Sequence, residues 1–453
     1  MRARNRWGVL VLLAGAMAAC SGGTSTPTCS YHDPAAAAVS SPWPKFHHDE
    51  QNTGAVANVQ LPGTPTCRWV FPPGGADSCS TALTTPAKGA FAASPVISND
   101  GSRIYIGSAD GTLYALYTSD GTQLASTDFS FSIAQPGGIV STALVAQRDE
   151  GEVVFVGGGN GSLYGLTNTG VAQATYWPDA IGGFISASPS LVGEGTVCVD
   201  SLNGTFVAVC PNGVTRFAVS TGPSQSSPAQ APDGTLDFGA DDGQLRAVGV
   251  NGIVNWSFSA AGPIRAAPVF DTATNSIYVA DRAGWVFKVI AGGSLAGRPD
   301  AKFVAFEQVG PISSSPALAE DHLYFGSDDG NLYAIDKCTG TPAWSPPFPT
   351  GGAIASSPAV AIIASEPPQP FTCSSSGSPA VHQRIVVVGS DDGNVYFLQD
   401  NGTSVALVAV FSIGAPVGSS SPAIGSDGAV YVGASDGRVY AIGEPLPSPT
   451  PSS

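Results

Sequence analysis

A unit of roughly 40–50 residues recurs eight times along this 453-residue chain, and that period constrains the fold more than any single motif. The clearest copies read "ASPVISNDGSRIYIGSADGTLYALYTSDG", "SSPALAEDHLYFGSDDGNLYAIDKCTG" and "SSPAIGSDGAVYVGASDGRVYAIGEP". Each opens on Ser-Pro and a short apolar segment. A second apolar segment ends near Gly, a tight turn follows, and a third segment ends in a phrase like "LYAI". The marker position falls at Pro95, Ala143, Pro189, Pro228, Pro268, Pro316, Pro358 and Pro422, in steps of 48, 46, 39, 40, 48, 42 and 64 residues. Several short strands per unit at this spacing predict an all-β fold, an eight-bladed β-propeller of four-stranded antiparallel blades. Gly 56, Pro 37 and Met 2 agree with a turn-rich β protein rather than a helical one.

The turns support this independently. Seven units carry Asp-Gly or Asn-Gly between the second and third strands: Asp110-Gly111, Asn160-Gly161, Asn203-Gly204, Asp242-Gly243, Asp329-Gly330, Asp392-Gly393 and Asp436-Gly437; the fifth has Ala283-Gly284. A tight hairpin needs positive φ, which Gly adopts freely and Asn or Asp tolerate best among the rest. A fourth strand carries an aromatic residue at Phe129, Trp177, Phe217, Trp256, Phe306, Trp344 and Phe411, but the eighth unit runs instead into the Pro/Ser tail "EPLPSPTPSS". "CRWVFP", Cys67 to Pro72, stands unpaired near the N-terminus. It is expected to complete the last blade and close the ring, leaving no severed interface.

Just ahead of that strand lies "WPKFHHDEQNTG", Trp43 to Gly54, with two histidines, an aspartate and a glutamate in a row. Neighbours on a strand point to opposite faces, so His47 and His48 are poorly placed to share a metal. The segment reads as packing: Trp43 and Phe46 against the last blade, polar residues toward solvent or capping backbone groups. No metal site is expected.

The first residues read as a targeting signal. Arg2, Arg4 and Arg6 precede the apolar run "GVLVLLAGAMAA" and Cys20, a run too short to span a bilayer as a stable helix. "AGAMAAC" resembles a bacterial lipobox, with Met17 where Leu is more usual. That resemblance implies cleavage before Cys20 and lipid on its sulfur. The expected organisation is a signal peptide at 1–19, a lipidated flexible tether at 20–42, the propeller at 43–443 and a tail at 444–453. Cleavage would remove three arginines and take the formal charge from −16 to −19. So acidic a surface repels phosphate backbones and anionic headgroups, which argues against nucleic acid and leaves membrane attachment to the lipid.

Eight cysteines fit an oxidising compartment. Cys338, in the third-to-fourth turn of blade six, and Cys373, in the insertion of blade seven, share a rim on adjacent blades and are expected to pair. Cys198 and Cys210 flank the hairpin of blade three, opposite or diagonal according to the turn register. Cys67 and Cys79 are close enough to bridge "PPGGADS". Cys29 is left unpaired or intermolecular.

"LYAIDKCTGTPAW", Leu332 to Trp344, matches the tryptophan-docking pattern of quinoprotein-type propellers at Ala334, Asp336, Thr339, Gly340 and Trp344. The Trp43–Gly54 stretch is similar to the lead-in of the same superfamily. Only the sixth unit carries the full docking pattern. The resemblance implies one of two branches. Quinoprotein dehydrogenases hold pyrroloquinoline quinone and calcium in the funnel, and pair with a vicinal disulfide that this chain lacks. Noncatalytic lipoproteins similar to the outer-membrane assembly factor B of the β-barrel assembly machinery lack those elements. Lipobox, size and eight repeats favour the second branch.

The remaining chemistry reads as structural. Aspartates in "SDDGN" and "GADDGQ" lack the ligand spacing and closing Glu of calcium loops and suit hairpin turns. Repeated serines in "SSSPA" suit backbone capping on the inner strand. No catalytic residue and no cofactor are expected. The chain is thus expected to be a monomeric, lipid-anchored, protein-binding scaffold of the cell envelope, at the outer membrane's periplasmic face or the cell surface. The blade-seven insertion and the loops on its rim are its expected contact surface. The alternatives are a quinone-dependent oxidoreductase and a surface module binding carbohydrate or another cell.

Overall fold

The computed structural model describes residues 41–444, apart from 42, 74–78, 80–87, 127, 134–136, 149–150, 171–178, 194, 302, 304–305, 307–309, 364–370, 372 and 374–381. Eight sheets follow one another around a ring, each built on antiparallel strands consecutive in sequence, with one strand from the front of the chain added to blade seven and one to blade eight. In blade three these are Ser190–Val192, Thr196–Asp200, Thr205–Val209 and Thr215–Ser220. All eight glycines of the second-to-third hairpins have positive φ, between 75° and 87°. The turn glycines are therefore required by geometry, as their spacing predicts.

Thr66–Phe71 pairs antiparallel with Val439–Gly443 and becomes the outer strand of blade eight. It also supplies the aromatic that unit eight lacks. Trp69 is fully buried, its ring lies 5.7 Å from that of Tyr431, and its Nε1 donates to Thr118 O of blade one at 2.9 Å. A Cβ on Gly121 would sit 2.4 Å from the Trp69 ring, so that glycine is the seat on which the indole docks.

Blades touch through apolar faces. Residues that end the second strand are often glycine because the next blade's aliphatic side chain presses on them: a Cβ on Gly239 would lie 2.0 Å from Ile264 Cγ2, and one on Gly326 2.1 Å from Ile354 Cγ2. The sheets are buried on both faces, so continuous apolar runs such as Leu323–Phe325 fit.

Three expectations about outer strands need correction. In blade one Phe129 precedes the short outer strand Phe131–Ser132 instead of lying in it. Among the described residues blade five has three strands, and Phe306 meets Val286 only in an isolated bridge. In blade six Trp344 precedes the short outer strand Phe348–Pro349 instead of lying in it. Trp177 lies outside the described residues.

The Trp43–Gly54 segment also departs from expectation. Trp43 does join a core cluster with Ile97 of blade one and Ile424 of blade eight. The segment then continues around the channel, because its carbonyls serve the innermost strands in turn. Ile97 N donates to Trp43 O, Val145 N to Pro44 O, Gln230 N to Glu50 O, Phe270 N to Gln51 O, Leu318 N to Thr53 O and Val360 N to Gly54 O, all at 2.7–3.0 Å. Lys45 reaches blade three through Ser190 Oγ at 3.2 Å. Ala55–Ala57 then runs parallel to Ala359–Ile363 of blade seven. The front of the chain thus makes one circuit inside the ring before it closes it. Lys45 and Asn52, expected to face solvent or cap backbone groups, are buried and bonded to each other at 2.9 Å, and Asn52 Nδ2 caps Ser227 O and Pro268 O at 3.3 and 3.2 Å. The innermost strands would otherwise leave backbone N–H groups unpaired, and the circuit satisfies them.

Candidate functional site: the central channel

Strand direction places the second-to-third hairpins and the blade-to-blade connections on one rim, here the turn rim. The first-to-second and third-to-fourth loops form the opposite rim. Residues just before each innermost strand line a cavity of about 310 Å³ at the turn-rim end of the channel. Its lining includes Ser94, Thr142, Ser188, Ser227, Ser315 and Ser357, with Phe46 from the N-terminal circuit.

The hydroxyls hold the ring together. Ser94 N donates to Thr142 Oγ1, Ser188 N to Ser227 Oγ and Ala267 N to Ser315 Oγ. Ser315 N donates to Ser357 Oγ, Ser357 N to Ser421 Oγ and Ser421 N to Ser94 Oγ. Each of these bonds, 2.8–2.9 Å long, crosses from one blade to the next. The preceding serine works within or between blades: Ser226 Oγ accepts from Gly239 N at 3.1 Å and donates to Ala266 O at 3.0 Å. The repeated "SSP" is a girdle, and its oxygens already serve backbone donors.

Charge enters at the mouth. Arg265 lines the cavity and pairs with Asp241 at 2.9 Å. Around it stand the hairpin aspartates. Asp110 Oδ1 accepts from Thr112 N at 2.8 Å and Oδ2 from Tyr114 OH at 2.6 Å. Asp329 and Asp392 repeat this with Tyr333 and Tyr396. Burial pushes the Asp110, Asp329 and Asp392 carboxyls up, but these tyrosine and backbone hydrogen bonds outweigh it and hold them below the usual range. Their chemistry is that of hairpin turns.

The cavity is a neutral, hydroxyl-lined cup with one guanidinium and an acidic surround. No carboxylate or imidazole is among its lining residues. Calcium with pyrroloquinoline quinone needs carboxylate oxygens, so the donor set here does not fit that pair.

The two adjacent histidines go separate ways. His47 is buried, its ring stacks on Phe46, and its Nδ1 lies 3.0 Å from Asn52 O. Burial lowers the His47 pKa to about 4. His48 turns to Asp49, whose carboxylate also accepts from Thr53 N at 2.8 Å.

Cys338–Cys373 and Cys67–Cys79 are disulfides, with Cα–Cα distances of 5.4 and 5.8 Å. Cys198–Cys210 is not. Cys198 faces Ala208 across the ladder, so Cys210 lies diagonal and out of bridging range. Cys198 is free and buried, whereas Cys210 is bonded elsewhere. Cys20, Cys29 and nearly all of the blade-seven insertion lie outside the described residues.

The docking tryptophan leads to a group that sequence spacing did not reveal. Trp344 Nε1 donates to Asp400 Oδ1 of blade seven at 2.9 Å. The same carboxylate takes Tyr324 OH at 2.6 Å, His322 Nδ1 at 2.7 Å and Arg384 Nη2 at 2.9 Å. Burial pushes the Asp400 carboxyl up, yet His322 and Arg384 prevail and hold it well below the carboxylate range. This knot rivets blade six to blade seven.

The family described as "Outer membrane protein assembly factor BamB" matches residues 241–444. The crystal structure of BamB from Moraxella catarrhalis is similar at 17% identity, with a TM-score of 0.54, over 76% of this chain and 94% of that one. The computationally designed Ika8 protein is similar at 16% identity, with a TM-score of 0.53, over 79% of this chain and 96% of that one. No curated protein matches the sequence.

Proposed function

We propose, from the premise that the chain is a PQQ-like, BamB-like eight-bladed propeller, that it is a noncatalytic, protein-binding scaffold of the bacterial cell envelope. The observation that carries this is the channel. The hydroxyls of Ser94, Thr142, Ser227, Ser315 and Ser357 are engaged by backbone donors, the lining holds no carboxylate or imidazole, and the N-terminal circuit runs through the interior. A rigid ring so built offers its rims and not a reaction chamber. The acidic turn rim and the formal charge of −16 favour a basic partner surface. Lipid on Cys20 would hold the ring at the outer membrane, and envelope assembly is the partner class that the BamB likeness supports.

Crosslinking and pull-down from native membranes test this. A discrete envelope protein should be recovered with the wild type, and Cys20→Ser should release the protein from membranes. Recovery of no partner, together with dye-linked alcohol or sugar oxidation by protein mixed with pyrroloquinoline quinone and calcium, would overturn it.

A further inference from the structure

Aligning the eight blades by ladder register exposes one core position that carries a carboxyl in blade four and an aromatic, a valine or a cysteine in the others. The second-strand residue opposite the innermost strand faces the next blade. It is Tyr105, Tyr278, Tyr324 and Tyr431 in blades one, five, six and eight, Phe155, Cys198 and Val387 in blades two, three and seven, and Asp237 in blade four. Where tyrosine stands, its ring fills the gap between blades, and the hydroxyls of Tyr105, Tyr278 and Tyr324 find partners in the next blade, Tyr105 OH donating to Glu152 Oε1 at 2.7 Å. Tyr324 OH reaches Asp400, and Tyr278 OH donates to Lys337 O at 2.7 Å.

At blade four the ring is missing and its space remains. A slot of about 170 Å³ lies between blades four and five, lined by Ala231, Pro232, Asp233, Thr235, Asn275 and Ala291 around Asp237. Asp237 is only 1% exposed, and neither of its carboxylate oxygens has a hydrogen-bond partner. Burial pushes this carboxyl well above its usual range, and the Asp233 charge adds to that. A buried carboxyl with no donor is costly, so a group that supplies the missing charge and hydrogen bonds would bind there.

We infer that the slot between blades four and five is a binding site for a primary ammonium carried on a short aliphatic stem, with Asp237 as its buried counter-ion. The slot is far larger than a bare ion. Only two carboxylates line it, and Asp233 Oδ1 already accepts from Thr235 N at 2.9 Å. That is too few oxygens for calcium, which takes about six to eight. A lysine-like group fits better: Ala231, Pro232 and Ala291 suit the methylene stem, and the ammonium is a compact three-donor charge. An adjoining cleft shares Pro232 and Asp233 with the slot and is lined by Val250, which is exposed, as is nearby Ile253. A protein-borne lysine would cover that apolar border, whereas a free amine would not. The inference stands on the slot and does not require the envelope assignment.

Titration calorimetry of the full chain tests it, with n-butylammonium chloride, n-butanol and the peptide acetyl-Gly-Lys-Gly-amide as probes. Saturable binding of butylammonium but not butanol is expected, weakened at least tenfold by Asp237→Asn. Asp237→Tyr, which installs the residue of four other blades, should abolish binding while keeping the melting midpoint at or above that of the wild type. Binding of the peptide as well assigns a protein lysine as the source; binding of butylammonium alone assigns a free amine. The inference is overturned if butanol binds as well as butylammonium, if neither amine binds the wild type, or if folded Asp237→Tyr still binds. None of these results alters the partner pull-down, so the two proposals fail separately.

Discussion

Replacing Trp69 by alanine measures what the borrowed strand contributes. Trp69 sits in Thr66–Phe71, 377 residues before its ladder partners by the Thr66–Gly443 pairing, and is fully buried between blades eight and one. A tryptophan buries about 150–250 Å², and at ~25 cal/mol/Å² its transfer is worth about 4–6 kcal/mol. Truncating a buried Trp to Ala costs about 3–5 kcal/mol, cavity included. The indole bond to Thr118 O adds about 1 kcal/mol. The sum is partly offset by relaxation around Gly121, so a loss of about 4 kcal/mol is expected. Urea unfolding followed by far-ultraviolet circular dichroism reads it as a lower midpoint at unchanged slope. Val408→Ala, on the exposed outer strand of blade seven, is the control and should change stability by under about 0.5 kcal/mol. A Trp69→Ala loss below about 1 kcal/mol would show that residues 66–71 rest on the ring without being part of it.

Other expectations follow from buried charge and close packing. Arg384→Met strands the Asp400 carboxylate and should cost about 3–5 kcal/mol, and adding Asp400→Asn should recover part of that, a coupling that a double-mutant cycle in urea would measure. Two buried groups give opposite pH slopes. His47, held near pKa 4 by burial, binds a proton more readily when unfolded, so it makes stability rise by about 3 kcal/mol from pH 4 to above 6.5. Asp200, pushed up to about 7 by burial, binds one more readily when folded, so it makes stability fall by about 4 kcal/mol from pH 4 to above 7. Denaturation midpoints at pH 4, 5.5 and 7 should therefore fall with pH in His47→Asn relative to the wild type and rise in Asp200→Asn. Gly239→Ala drives a methyl into Ile264 Cγ2 and should cost about 1–3 kcal/mol; Ile264→Val, which keeps that methyl and loses only Cδ1, should not restore it, as thermal melts would show.

The ring was legible because its signals are local. Asp-Gly turns, Ser-Pro starts and alternating apolar runs each report a backbone conformation. The unpaired "CRWVFP" could be assigned because one blade lacked an aromatic. The N-terminal circuit left no such trace: its bonds run from the carbonyls of Trp43, Pro44, Glu50 and Gln51, and a carbonyl says nothing about side-chain identity. The Cys198 outcome turned on a register of two residues that spacing left open. Asp400 was invisible for another reason. Its partners His322, Tyr324, Trp344 and Arg384 are brought together from two blades, and only Trp344 belongs to a recognisable motif. Asp237 becomes anomalous only when the ladders align it with the tyrosines.

Hydrogen exchange read by mass spectrometry tests ring closure by the front of the chain most directly. Amides in 66–71 should exchange as slowly as those of Val430–Gly433 beside them in blade eight. Ile97, Val145, Phe270 and Val360, which donate to the circuit, should be equally slow. Fast exchange across 66–71 and at those four amides, with blade eight otherwise protected, would contradict a ring threaded and closed by its own N-terminal segment.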